Sequence, residues 1–148
     1  MNHLLEIDNW IVVGTTLAIV SACVGLHFEV LNNCGRLTAA IHNRRRRVVL
    51  LIIAILVTHV VEIWLFAFGY YFLVRYGVSS LAGTAIMELP EYAYYSAMVF
   101  TTVGFGDVIP VGPIRFMTGM EALTGLVMIT WSASLTFLEM QRDWPPAR

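Results

Sequence analysis

The sequence predicts an all-α membrane protein with three spanning helices and a shorter helix that dips into the bilayer and returns. Three observations carry that prediction. The chain of 148 residues is 58% hydrophobic but only 13% charged, a balance that one soluble core of this size does not hide. Apolar runs at 10–31, 48–74 and 114–138 each reach the roughly 20 residues that a helix needs to cross a hydrocarbon core. Between the second and third runs lies a segment too long for a tight turn and too apolar for an ordinary loop. Part of it is expected to re-enter the membrane.

The first run is expected to stay in the protein as a span, because the residues before Trp10 include Glu6 and Asp8 but no Arg or Lys, and no clean small-x-small cleavage site follows. Gly14, Thr15, Thr16, Ser21, Ala22 and Gly25 are small enough to let another helix approach closely, so this span is expected to pack on the second span of its own or a neighbouring subunit. Charge sets the orientation. All nine basic residues are arginine, and five of them, Arg36 and Arg44 to Arg47, fall in the connection after the first run. The excess of positive charge marks that connection as cytoplasmic, with the amino terminus outside and the carboxyl tail, carrying Arg142 and Arg148, inside. Ten acidic residues nearly cancel the nine arginines, so no nucleic-acid partner is expected. Cys23 and Cys34 do not form a disulfide framework in this setting. Residues 1–47 thus read as one unit, a helix plus a basic connection, and 48–148 as another.

Arg44, Arg45, Arg46 and Arg47 are consecutive and flank a span, unlike the every-third spacing of a voltage sensor. They read as a headgroup anchor, with binding of anionic lipid as the alternative. The stretch "GRLTAAIHNRRRR" before the second span allows a short interfacial helix. Within the spans, His59 and Glu62 lie three apart on one face of the second helix, and Glu121 lies in the third. Charges at that depth require partners. His59 with Glu62 reads as an interhelical packing contact or, alternatively, as a proton-sensitive latch.

Residues 90–101, "PEYAYYSAMVFT", have the length of a re-entrant helix, with Pro90 and Glu91 suited to its first turn. The helix runs into "TTVGFGD", residues 101–107. Non-helical backbone at membrane depth is tolerated only where it is buried in protein or lines a watery path. Gly104 and Gly106 permit dihedrals that allow successive carbonyls to be turned to one side.

From Thr102 to Gly106 the loop resembles the signature of the potassium-channel pore-domain family, here the prokaryotic two-transmembrane type with one extra N-terminal helix. The resemblance covers the chain from Val48 onward. Phe105 stands where the family often has tyrosine. The likeness implies that the carbonyls of Thr102, Val103, Gly104 and Phe105, with the Thr102 hydroxyl, hold K+ as the permeant ion and that Gly106 forms the outer mouth. It implies four copies around one axis, a homotetramer. Asp107 is implied as a brace behind the filter, with Tyr94 and Tyr95 as candidate further supports; Glu121, in the outer third of the inner helix, is expected to contact the back of the filter or the pore helix. Met98 sits where some members carry a buried carboxylate. The inner helix, 114–138, would line the cavity, with Gly125 either a hinge or a close-packing site. Leu126, Ile129, Ala133 and Phe137 would face the pore, Phe137 as a dewetting gate.

No organic cofactor is expected, and the membrane implied is a prokaryotic cytoplasmic membrane. A phosphate-binding loop would want a third glycine and a helix after a strand, neither of which "GFGDVIPVGP" offers. No nucleophile, base and orienting group converge in the sequence, so an enzyme is not expected. A non-selective cation channel and a non-conducting channel subunit are the alternatives to potassium-selective conduction.

Overall fold

The structure, a computed structural model, describes residues 2–39, 43–83 and 88–141, with the side chains of 2–5, 35–39 and 44 left aside. It contains four helices, α1 (Asn2–Ala39), α2 (Arg44–Arg75), α3 (Leu89–Phe100) and α4 (Ile114–Gln141). Among the described residues, α1, α2 and α4 are long and apolar enough to cross a membrane, while α3 is not. This is an all-α membrane fold with one exception. A two-stranded antiparallel ribbon pairs β1 (Ser80–Ala82) with β2 (Ile109–Val111), Leu81 opposite Pro110.

Each long helix extends past its apolar run for a local reason. In α1, the buried residues Val12, Thr16, Cys23, His27 and Leu31 form one narrow stripe at helical spacing, facing α2 and α4. Trp10, Leu17 and Phe28 are exposed on the other side. Because α1 continues unbroken to Ala39, residues 35–39 belong to it and do not form a separate interfacial helix. The following 40–42, Arg142 and Arg148 lie outside the described residues. Asn43 caps α2, its side chain accepting from the Arg46 amide at 3.4 Å, so the helix starts four residues before the apolar run. Its first turn is therefore made of arginines, which oppose the positive end of the helix dipole.

The short helix α3 packs between α2 and α4. It begins at Leu89 with Pro90 in its first turn, and the Glu91 side chain accepts from the Glu88 amide at 2.8 Å. Tyr92, Tyr95, Ser96 and Phe100 are its buried residues. Around them gather Phe66, Ala67, Tyr70 and Leu73 from α2 and Ile114, Met117 and Met128 from α4, with Val12 and Cys23 of α1 closing the outer side. A smaller cluster of Leu31, Leu51 and Ile55 lies toward the Arg44 end. The ribbon joins both flanks of α3: the Ser79 hydroxyl accepts from the Ile114 amide at 3.2 Å, and the carbonyl of Asp107 occupies the space a side chain on Gly83 would need.

Candidate functional site

The backbone from Thr101 to Asp107 is exposed on this single chain, Val103 by 53% and Phe105 by 70%. Its conformation alternates. Thr102, Gly104 and Gly106 have φ of +59°, +54° and +79°, while Val103 and Phe105 between them do not have positive φ. Threonine is β-branched, and holding it in the left-handed region costs on the order of 1–3 kcal/mol, which points to a functional constraint. The amides of Thr102 and Gly104 donate back to the carbonyls of Val99 and Met98, at 2.9 and 3.1 Å. In a trans peptide the preceding carbonyl points opposite to the amide N–H. The carbonyls of Thr101 and Val103 are therefore turned away from α3.

Support for the loop comes from several directions. The Tyr94 hydroxyl donates to Asp107 Oδ2 at 2.8 Å, and Asp107 Oδ1 accepts from the Val108 amide at 3.1 Å. That bond holds the Tyr94 hydroxyl above the usual phenol range. Tyr95 turns elsewhere, sharing a 2.9 Å bond with Thr118 and packing edge-on to Tyr70 at 5.0 Å. Phe105 has no hydroxyl to offer α3, so the Tyr94–Asp107 bond ties α3 to the outer end of the loop. Behind the loop is a cavity of ≈ 180 Å³ whose wall includes Tyr95, Met98, Asp107, Val108 and Thr118.

Below this layer Glu121 is fully buried. Tyr70 donates to its Oε2 at 2.5 Å, and its Oε1 lies 2.5 Å from Ser96 Oγ. The Ser96 hydroxyl has one proton and also lies 2.8 Å from the Ile63 carbonyl. Every group is satisfied when Glu121 carries a proton, donates to Ser96 and accepts from Tyr70, leaving Ser96 to donate to Ile63. Glu121 thus links α4 to α3 and α2. On α4 next to it, Gly125 abuts α3: a Cβ there would fall 2.0 Å from the Phe100 carbonyl oxygen. The close-packing reading of this glycine therefore has a direct structural basis.

His59 and Glu62 meet, Nδ1 to Oε2 at 2.9 Å, but they are half of a larger cluster. His27 of α1 reaches the other carboxylate oxygen, Nδ1 to Oε1 at 2.8 Å. Ser132 Oγ of α4 lies 3.1 Å from His27 Nε2 and 3.3 Å from His59 Nε2. Sequence reasoning missed His27 because the first span was read for its small residues, although His27 sits on the same buried stripe as Val12, Thr16 and Cys23. Nothing in the sequence singles out Ser132 as its partner. At the opposite end, Phe137 is exposed by 59%. With Ile129, Ala133, Ile52 and Ile55 it borders an apolar groove of ≈ 660 Å³ between α2 and α4. Leu126 is exposed as well.

The arrangement is a short helix held between two long apolar helices and running into a loop with three positive φ angles. The ion channel family matches residues 48–142, and the chain belongs to that family, one of channels and not of enzymes. The chain is also similar to Protein LctB of Geobacillus stearothermophilus, 38% identical over 64 residues, which are 43% of this chain and 48% of that protein. It thus spans about half the length of this curated relative. No solved structure matches the chain.

One prediction tests the brace. Tyr94→Phe removes the hydroxyl from Asp107 while leaving the ring in place, and is expected to reduce cation flux through the reconstituted protein several-fold with an unchanged melting temperature. Flux equal to wild type would show that the loop holds its shape without this bond.

Proposed function

We propose that the protein is a potassium-selective channel that assembles as a homotetramer, with the carbonyls of Thr102, Val103, Gly104 and Phe105 and the Thr102 hydroxyl as ligands and Gly106 at the outer mouth. The observation that carries this reading is the alternation of φ along 102–106. It goes with amides at 102 and 104 that are occupied toward α3, so that the carbonyls of Thr101 and Val103 turn away from it, which supports a carbonyl-lined path. One chain supplies one such strand, and a ring that replaces an ion's hydration shell uses four. Potassium would then exchange water for carbonyl oxygen and move by repulsion between ions in adjacent sites. Within this reading the Arg44 end faces the cytoplasm, in keeping with the positive-inside rule. The adverse placement of arginines in the first turn of α2 favours anionic lipid headgroups beside them.

The decisive experiment is flux from liposomes holding the purified chain. Potassium-driven flux that far exceeds sodium flux and is blocked by barium is the expected result; equal sodium flux, or an assembly without four-fold symmetry, overturns the reading. Phe137, on the exposed face of α4, is proposed as the gate. Phe137→Ala should raise basal potassium current in bilayers several-fold, and unchanged open probability removes the gate from this position.

A further inference from the structure

The cluster between α1, α2 and α4 has a hydrogen-bond count that does not close by itself. If both imidazoles donate from Nδ1 to the Glu62 carboxylate, at 2.8 and 2.9 Å, both Nε2 atoms are acceptors. The one donor between them is the Ser132 hydroxyl, 3.1 and 3.3 Å away, with a single proton to give. One ring nitrogen is left over. A carboxylate with two neutral imidazoles also carries one negative charge, and His27, Glu62 and Ser132 are buried, where an uncompensated charge is strongly disfavoured. A cation held in the cluster would compensate that charge.

We propose that this cation is a divalent transition metal of the zinc class, held by His27 Nδ1, His59 Nδ1 and a Glu62 carboxylate oxygen. Two imidazoles and one carboxylate form a known zinc ligand set, and one ligand atom from each of the three residues lies within 4.8 Å of the others. Metal–ligand bonds of about 2.0–2.2 Å require the ligand atoms to part by roughly half an ångström from their present spacing. With the metal on both Nδ1 atoms, each imidazole proton moves from Nδ1 to Nε2, and both N–H groups then face the two lone pairs of Ser132 Oγ. That is the outer-shell contact that orients ligating histidines. The spacing is helical on both sides: His59 and Glu62 are three apart on α2, and Cys23, also buried, lies four before His27 on α1. The fourth position falls to water, which as hydroxide would bring the metal and the Glu62 carboxylate to neutrality. Entry is provided by the groove between α2 and α4, which His59 and Ser132 line.

Co2+ titrated into the purified full-length chain in detergent, followed by visible absorption and by metal analysis after gel filtration, tests the proposal. The expected result is one Co2+ per chain with the intense d–d bands of a tetrahedral site, displaced by Zn2+ and lost in His27→Gln and Glu62→Gln. Ser132→Ala keeps all three donors and should weaken binding by about 10- to 100-fold, a readout that does not depend on removing a ligand. Folded wild-type protein that binds no Co2+, or a His27→Gln/His59→Gln variant that binds it as tightly as wild type, overturns the proposal.

Discussion

Replacing Gly125 by alanine will displace α3 from α4. The added methyl would meet the Phe100 carbonyl oxygen at 2.0 Å, its carbon at 2.7 Å and its Cα at 3.0 Å. All three are backbone atoms, so no side-chain rotation relieves the contact. Overpacking of a tight interface costs about 1–3 kcal/mol, and here the strain falls on the last residue of the helix that positions the 101–107 loop. The expected outcome is a lower melting temperature in detergent together with loss of most cation flux in liposomes. A stable, fully conducting Gly125→Ala protein would show that the helices separate at this point without consequence, as a hinge would allow.

The second large effect is expected at Glu121, and its sign depends on the replacement. Alanine leaves a cavity and removes the partner of the Tyr70 hydroxyl, at a combined cost of about 2–4 kcal/mol. Glutamine reproduces the shape and the neutral charge inferred above, with one added N–H: its carbonyl accepts from Tyr70, its amide donates to Ser96, and Ser96 donates to Ile63. That variant should lie within about 1 kcal/mol of wild type. Thermal unfolding of both variants in the same detergent provides the comparison. If glutamine proves as damaging as alanine, Glu121 does not act as a neutral acid in this contact.

Much of the architecture is legible in the sequence because membrane helices are specified by length and composition, which need no knowledge of neighbours. The three long apolar runs and the 12-residue insert follow from that. Helix ends were less visible, since Asn43 and the continuation of α1 to Ala39 depend on local capping and propensity outside the apolar runs. The ribbon was missed because three-residue strands such as Ser80–Ala82 carry no periodic signal and exist only through their pairing. Within the site, Asp107 with Tyr94 and the pair His59–Glu62 could be proposed from motif and spacing. The partners of Glu121 could not, because Tyr70 lies 51 residues away and Ser96 lies 25 away. The same limit hid His27 and Ser132, which are separated by 105 residues.

The seat of Gly83 on the Asp107 carbonyl gives the short ribbon a mechanical consequence. Any tug on the peptide around Ser80 is passed, through the pairing of β1 with β2 and the contact of Gly83 with the Asp107 carbonyl, to the end of the 101–107 loop. A bulky reagent coupled there would be felt at Asp107 and its bond to Tyr94, although it touches neither.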